Sequence, residues 1–426
     1  MFCVFFRRCA AFCMFFLNFV GKKAKKAVYF IRCFQNDMEY TMNISQRVLC
    51  VEPSPPRAIF DLAAKYTDVV DLTLGDPDLP PPVNVREAAC KAIMEGRTRY
   101  SANAGLIDLR RAIADDLKRN GGMEVDPESE IIVTVGAMEA SFLTLYSMLE
   151  PGDEVVIHAP YWINYSQVVR SLGATPVFVY TRPEDNFELQ IEDLEKVITP
   201  KTRLVVLNYP NNPSGAILPE STVEKIAKLA VERNFAVLSD EIYESLIYDK
   251  KPCRSIRSYP GMAERTVIIN GMSKRFAMTG WRLGWAVAPK NLIAEMTKMQ
   301  ENIVACAPLP AQHAGIEALR DDSGSAAIRE EFKHRRDVIF NGINKIKGLK
   351  CMPVPATFYA LVDISSTGLD AKEFALKLLQ TEKVAVVHGS AYGGEHYNKF
   401  IRLAFTMKEE LLLEALRRIE KFMQNF

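Results

Sequence analysis

Lys274 and Arg282 stand eight residues apart in the segment 271–284, which reads GMSKRFAMTGWRLG. A lysine amine forms an imine with an aldehyde, and desolvation together with nearby positive charge lowers its pKa and frees that amine. An arginine guanidinium offers a planar fork for phosphate oxygens, and glycines let the backbone approach a ligand closely. The pair therefore suits an aldehyde that carries a phosphate. The alternative is a solvated lysine and arginine on a turn.

This segment closely resembles the Schiff-base signature of the class I and II aminotransferases, which are fold type I pyridoxal-5′-phosphate (PLP) enzymes of the aspartate aminotransferase superfamily. The resemblance implies that Lys274 holds PLP as a Schiff base and takes part in catalysis. It also implies that Arg282 binds the cofactor phosphate, with a contribution from Ser273.

A second pattern is the sequence DEIY at 240–243, directly after an apolar run. PLP needs a carboxylate beside its pyridine nitrogen, because a protonated ring is a better electron sink. Asp240 at a strand end is placed for this role, and Tyr243 could reach the phenolic oxygen of the same ring. The alternative for Asp240 is a helix cap. The family pattern D-E-x-Y implies that Asp240 and Tyr243 are catalytic and cofactor-binding residues.

A third pattern is the rigid turn NYPNNPSG at 208–215, in which two prolines fix φ and Gly215 tolerates a positive φ. Such a turn can hold an amide still, and Asn212 could donate to the phenolic oxygen opposite Tyr243. The turn resembles the family's N-P-[ST]-G sequence, which implies that Asn212 contacts both cofactor and substrate.

Weaker signals fit the same pocket. Gly136, Ala137 and Met138 begin a predicted helix, whose N–H groups could bind phosphate. Trp162 lies in a P-Y-W sequence like that of the family, where the ring stacks on the pyridine and lines the substrate site; the alternative is a core aromatic. Tyr100 resembles a tyrosine that reaches the cofactor phosphate of the neighbouring subunit, which implies a homodimer with shared active sites.

Arg402, in the apolar run FIRLAF at 400–405, is the candidate substrate anchor. A charge inside a buried strand is costly unless it is paired, and an α-carboxylate would satisfy it. The alternative is a buried salt bridge to Asp or Glu. The run matches the family's R-[LI]-[SA]-[FY] sequence, which implies carboxylate binding. Gly75 resembles the glycine whose backbone lines that site.

The resemblance runs from about residue 43 to the C-terminus, with five motifs in family order. Two positions depart from the family pattern: His388 replaces a common proline, and Tyr392 replaces a commoner phenylalanine. Both are expected near the substrate, so they bear on specificity.

The elements that must position these residues alternate between β-branched runs and amphipathic helices, which predicts a mainly parallel α/β sheet flanked by helices. Ligands collect where such strands end, and the candidate residues follow the strands. The strands are predicted at 131–135, 154–158, 203–207, 235–239 and 266–270, and the clearest helix is Glu220–Arg233. Beyond residue 308 the pattern predicts a smaller α+β domain that ends in a helix over 408–426.

We therefore expect an N-terminal segment of the small domain at 42–80, a large PLP-binding domain at 81–308 and a small C-terminal domain at 309–426. Residues 1–41 differ from the rest, because 1–20 are rich in Phe and Cys and are followed by the basic run 22–26. The longest charge-free stretch there, 9–20, is shorter than the ~20 residues that span a bilayer. The segment is either an anchor or targeting sequence, or a non-native leader ahead of Met42.

Composition narrows the class of protein. The 53 basic and 52 acidic residues leave a formal charge of +1, which argues against a nucleic-acid partner. Nine cysteines without a C-x-x-C pair indicate reduced thiols in a cytoplasmic protein. Cys9 and Cys13 have no histidine near them, so we expect no metal site, with metal binding the alternative.

The resemblance implies an aminotransferase that moves the amino group of an L-amino acid to a 2-oxo acid by a ping-pong mechanism with aldimine and pyridoxamine forms. The run 277–282, AMTGWR, favours this reaction over a C–S β-lyase on the same fold. A non-catalytic PLP-binding regulatory protein is a further alternative. Aspartate, alanine, aromatic and branched-chain amino donors all remain open.

Overall fold

The computed structural model describes residues 42–249 and 254–426. The predictions for residues 1–41 lie outside this part of the chain. Residues 46–426 form one compact unit, and the described residues ahead of it, 42–45, have no regular secondary structure. Within the described part, no helix is both long and apolar enough to cross a membrane.

The described elements comprise helices and short strands in alternation. The helices are α1 Gln46–Leu49, α2 Pro55–Ala63, α3 Val83–Met94, α4 Ile107–Gly121, α5 Ala137–Met148, α6 Asn164–Ser171, α7 Ile191–Val197, α8 Glu220–Arg233, α9 Met272–Arg275, α10 Lys290–Ile303, α11 Leu309–Arg320, α12 Ser323–Lys345, α13 Ala371–Glu382 and α14 Glu409–Met423. The strands are β1 Val70–Asp71, β2 Ile131–Thr134, β3 Glu154–Ala159, β4 Thr175–Tyr180, β5 Thr202–Asn208, β6 Ala236–Asp240, β7 Thr266–Gly271, β8 Gly284–Val287, β9 Lys350–Cys351, β10 Tyr359–Asp363, β11 Val384–Ala385, β12 Val387–His388 and β13 Phe400–Ala404.

The central sheet has seven strands in the order β2-β8-β7-β6-β5-β3-β4. All neighbouring pairs are parallel except those that β8 makes with β2 and β7. The prediction of a mainly parallel sheet is therefore confirmed, and its five strands occur within one or two residues of the predicted bounds. The sequence reading missed β4 and the antiparallel β8.

Side-chain alternation along the strands gives the sheet two buried faces. On β5, Leu204 and Val206 pack with α5, α6 and α10, whereas Val205 and Leu207 pack with α8. Neighbouring residues of a strand point to opposite faces, so strands that are apolar at every position are buried on both sides. This explains the continuous β-branched runs in the sequence.

A smaller sheet has the order β12-β13-β10-β9 and is antiparallel throughout. Helices α12, α13 and α14 contribute to its core, and β1 pairs in parallel with β11 beside it. The predicted C-terminal helix is present as α14. Helix α11 packs instead with α3 and α4 beside the large sheet, and the domain boundaries at 80 and 308 stay predictions.

Candidate active site

The carboxyl ends of the parallel strands meet at one edge of the central sheet and bring the candidate residues together. Asp240 is the last residue of β6, and Lys274 lies on the short helix α9 that follows β7. Helix α5 begins with Ala137 after β2, and the turn that carries Asn212 follows β5. Topology therefore gathers residues that are far apart in the sequence.

A cavity of about 180 Å³ lies at this edge. Nine of the thirteen predicted site residues line it, and Asn208, Ile242, Ile269, Thr279 and Tyr359 complete its wall. The nine are Ala137, Met138, Trp162, Asn212, Asp240, Tyr243, Ser273, Lys274 and Arg282.

Lys274 is half-buried, and its Nζ donates a hydrogen bond of 2.8 Å to the backbone oxygen of Gly75. Burial lowers the pKa of this amine to about 8. The charge of Asp76 opposes that change, and the positive charges of Arg282 and Arg402 add to it. Lys274 is therefore partly deprotonated near neutral pH, as an imine-forming amine must be.

Asp240 is buried and accepts hydrogen bonds on both carboxylate oxygens. The hydroxyl of Tyr165 donates to Oδ2, and the backbone N–H of Ile242 donates to Oδ1 over 3.1 Å. Burial raises the pKa of Asp240 to about 6, although the hydrogen bond from Tyr165 acts in the opposite direction. The carboxylate is thus ionised at neutral pH and held in one orientation, which suits a partner for a positively charged ring N–H.

Arg282 is held against the start of helix α5. Its Nη1 donates to the backbone oxygen of Thr279 over 2.8 Å, and its Nη2 donates to the backbone oxygen of Val135 over 3.4 Å. Gly136 has a φ of +77°, and a Cβ at this position would lie 2.4 Å from Nη2 of Arg282. Only glycine therefore leaves room for the guanidinium beside the helix N-terminus, where N–H groups and the helix dipole favour an anion.

The turn after β5 is fixed by its own side chains. The Oδ1 of Asn208 accepts a bond of 3.1 Å from the backbone N–H of Asn212. The Oδ1 of Asn212 accepts from Nη1 of Arg402, also over 3.1 Å, which leaves the Asn212 NH₂ group as a donor. Tyr243 is buried nearby, and its hydroxyl lies 3.3 Å from that of Tyr359.

Arg402 is 4% exposed on β13 and lies between two aromatic rings. Its Cζ is 4.4 Å from the ring centroid of Tyr359 and 5.1 Å from that of Tyr392. Besides the bond to Asn212, its Nη2 donates to the Thr73 oxygen, and its Nε has no partner among the described residues. The alternative of a salt bridge to Asp or Glu is not found within 42–249 and 254–426.

The remaining predicted residues lie at different places. Gly75 has no room for a side chain, because a Cβ there would lie 1.7 Å from the Tyr359 hydroxyl. Tyr100 is 87% exposed and lies outside the cavity of its own chain. His388 is half-buried, and its Nδ1 is 2.7 Å from the Ser390 hydroxyl.

Sequence reasoning missed several residues that support the site, namely Tyr165, Thr73 and Tyr359. Tyr165 follows Trp162 by three residues, and its ring meets that of Trp162 edge-on at 5.3 Å. The short separation of Tyr165 from Trp162 in the sequence is the one signal that could have found it. Thr73 and Tyr359 meet Arg402 through tertiary packing alone.

A larger cavity of about 510 Å³ lies near the same sheet edge. Ser239 and Glu241 line it, and because residues alternate along a strand, Asp240 between them points to the smaller cavity instead. It contains none of the predicted site residues, so size alone does not identify the active site here.

Comparison with known proteins agrees with this geometry. The family model "Aminotransferase class I and II" matches residues 67–419. The chain is 39% identical over 389 residues to the aromatic-amino-acid aminotransferase 2 of Thermococcus litoralis, an alignment that covers 90% of this chain and 99% of the relative. It is 41% identical to the aspartate aminotransferase of Pyrococcus abyssi, with the same two coverages.

Among solved structures, the aspartate aminotransferase of Thermus thermophilus with maleate superposes with a TM-score of 0.85 at 38% sequence identity. The alignment covers 89% of this chain and 100% of that structure.

Proposed function

Because this chain belongs to the class I and II aminotransferase family, we propose that Lys274 performs the proton transfers of its reaction. The chain is a transaminase of fold type I that depends on pyridoxal phosphate. One observation carries the assignment of Lys274. It is the lysine that lines the cavity, and its pKa is lowered to about 8, mainly by burial.

The residues around the cavity fit the groups of this cofactor. When bound, pyridoxal phosphate supplies an aldehyde that condenses with amines and a ring that accepts electrons from the substrate carbon. Arg282 and the N–H groups of Ala137 and Met138 would hold the phosphate, because they combine a permanent cation with a helix N-terminus. Ser273, which is buried beside Lys274, would donate to the same group.

The ring would be held by three polar groups and one aromatic ring. Asp240 would face the ring nitrogen, since it is the ionised carboxylate of the cavity wall. Asn212 and Tyr243 would donate to the phenolic oxygen, and the NH₂ group of Asn212 is free to do so. Trp162 would stack on the ring face.

Arg402 would bind the α-carboxylate of the amino acid. Its Nε is buried without a partner in the described chain, and such a donor is costly unless a ligand satisfies it. A carboxylate offers two oxygens to the guanidinium fork and neutralises its charge. The backbone of Gly75 would line the same position, since its oxygen already meets Lys274.

With the carboxylate held at Arg402, Lys274 would act as general base. Its free Nζ would remove the proton from the α-carbon of the substrate, hold it as an ammonium and donate it again later in the same half-reaction. An amine with a pKa of about 8 is suited to both steps near neutral pH, because it is neither fully protonated nor too weak a base. The amino group passes from an amino acid to a 2-oxo acid in two half-reactions.

We infer that the amino donor is aspartate or an aromatic amino acid, the classes named for the relatives from Pyrococcus abyssi and Thermococcus litoralis. A screen tests this inference. Each L-amino acid is added alone to the loaded enzyme, and conversion of the bound cofactor is followed by absorbance. A donor outside both classes that reacts fastest would contradict the inference.

The active unit is proposed to be a cytoplasmic homodimer. Tyr100 is 87% exposed and lies outside the cavity of its own chain, so its ring is available to a neighbouring subunit. Free thiols at Cys50, Cys90, Cys306 and Cys351 agree with a reducing compartment. Analytical ultracentrifugation tests whether the chain is a dimer in solution. If the Tyr100 hydroxyl contacts the cofactor phosphate of the neighbouring subunit, the Tyr100→Phe enzyme should bind the cofactor more weakly.

The assignment of Lys274 is tested by Lys274→Ala. Loss of the nucleophile and base is expected to lower turnover by at least about 10⁴-fold, the upper range for general acid–base catalysis. The absorbance that depends on a covalent link between protein and cofactor should disappear. A matched control is Lys290→Ala at the exposed start of α10, which should leave both properties unchanged. A fully active Lys274→Ala enzyme would contradict the role proposed for Lys274.

A further inference from the structure

Arg402 and Tyr392, whose side chains are in contact, each carry a buried donor that has no partner among the described residues. One is Nε of Arg402, and the other is the hydroxyl of Tyr392, whose side chain is 1% exposed. The guanidinium carbon of Arg402 is 5.1 Å from the centroid of the Tyr392 ring. Neither donor finds an acceptor within the described residues, so the same small region contains two unmet hydrogen bonds.

The hydroxyl of Tyr392 is not needed by the fold. A buried hydroxyl without a partner is destabilising relative to one that is satisfied, and a phenyl ring of the same shape avoids this cost. Tyr397 shows the contrast five residues later. Its hydroxyl lies within hydrogen-bond distance of two backbone oxygens, those of Ala159 and Thr181, and donates its single proton to this pair, so that hydroxyl stabilises the folded chain.

The position of Tyr392 is well fixed. Its backbone oxygen accepts a bond of 3.0 Å from the N–H of Tyr161, next to Trp162 in the cavity wall. The residue lies in the short 3₁₀ helix Gly389–Tyr392 that follows β12, and β12 pairs with β13, the strand of Arg402. The Tyr392 ring is therefore held between the Trp162 segment and Arg402, and it lies against the guanidinium that would bind the carboxylate.

We infer that the Tyr392 hydroxyl is a substrate-binding donor that shares the α-carboxylate with Nε of Arg402. The inference rests on the proposed role of Arg402. A carboxylate has two oxygens with about four acceptor positions, so it can satisfy both donors at once. Tyr392 is thus a specificity-determining residue that favours substrates with a carboxylate on the carbon that reacts.

The test uses the enzyme loaded with its cofactor and three carboxylates that lack an amino group: maleate, 3-phenylpropanoate and 4-methylpentanoate. Their dissociation constants are measured by calorimetry for the wild type and for Tyr392→Phe. Loss of one hydrogen bond to a charged group is expected to weaken binding of the best ligand by about ten-fold. The midpoint of thermal unfolding should stay the same or rise, because an unsatisfied hydroxyl is removed.

Tyr397→Phe is the matched control. It removes a buried hydroxyl that is already paired, so it should lower the unfolding midpoint and leave the dissociation constants unchanged. If Tyr392→Phe instead behaves like Tyr397→Phe, with lower stability and unchanged binding, the hydroxyl is structural and the inference is wrong.

Arg402→Gln separates this inference from the proposed function. If the wild type binds a carboxylate and Arg402→Gln binds it much less well, Arg402 is the anchor, and Tyr392→Phe decides the role of the hydroxyl alone. If none of the three carboxylates binds the wild type, or Arg402→Gln binds them equally well, the proposed carboxylate site fails and the inference about Tyr392 fails with it.

Discussion

The two ends of the site differ in how they are built. At the Lys274 end, the key residues follow adjacent strands of one parallel sheet, and their polar atoms are paired, as with Asp240 and Tyr165 or Arg282 and Thr279. At the Arg402 end, the arginine stands on a strand of the smaller sheet. Its partners Thr73 and Asn212 are 329 and 190 residues away in sequence.

This difference shows which end of the site has polar groups left to bind a ligand. Paired groups on neighbouring strand ends are preorganised, so the Lys274 end is ready to hold a rigid cofactor. The Arg402 end keeps unpaired donors, which a ligand must satisfy. We therefore expect changes at the Arg402 end to affect the substrate and changes at the Lys274 end to affect the cofactor.

Among the variants that test this division between the two ends, the largest effect is expected for Arg402→Gln. Removal of one partner of a buried charge pair costs 2–5 kcal/mol, so kcat/KM for the best amino acid should fall by about 10²- to 10³-fold. The affinity for the cofactor should change little, because Arg282 and Asp240, which would hold its phosphate and its ring nitrogen, make no contact with Arg402. Loss of cofactor together with substrate binding would show that the two ends are not separate.

Gly136→Ala should act on the cofactor end alone. The new Cβ would lie 2.4 Å from Nη2 of Arg282, so the guanidinium must move away from the helix N-terminus. Cofactor affinity is expected to fall by roughly ten- to a hundred-fold, which corresponds to strain of 1–3 kcal/mol.

Gly96→Ala is the control for this change. Gly96 has a similar φ of +71°, and its added Cβ would meet nothing within 4 Å. Both variants should lose similar stability from the positive φ, whereas Gly96→Ala should bind the cofactor normally. Equal cofactor affinity in the two variants would contradict the role given to Arg282.

The smallest effect is expected for Tyr165→Phe, which tests whether a paired group at the Lys274 end tunes the ionisation of Asp240. The Tyr165 hydroxyl favours the ionised form of Asp240, so its removal raises a pKa that burial has already raised to about 6. The acidic limb of the pH profile should therefore move to higher pH by up to about one unit, for a hydrogen bond of about 1.4 kcal/mol. Activity should fall more at pH 6 than at pH 8, and a uniform loss at all pH values would assign Tyr165 a packing role only.

Much of the cofactor end could be read from the sequence. The segments 208–215, 240–243 and 271–284 each follow a β-branched run, and parallel strands bring their ends to one edge. Local chain order is sufficient there, because every residue is placed by the strand that directly precedes it. The antiparallel strand β8 was missed because its four residues, Gly284–Val287, give too short a pattern.

Less of the Arg402 end could be predicted from the sequence. The apolar run 400–405 was enough to identify Arg402 as a buried charge that needs a partner. The strand ends that precede Lys274 and Asp240 could likewise be read from the sequence alone. Only the tertiary structure decided which atoms meet Arg402, since Thr73, Tyr359 and Tyr392 reach it across long stretches of chain. Periodicity reports which face of an element is buried, whereas contacts between distant elements depend on how whole sheets pack.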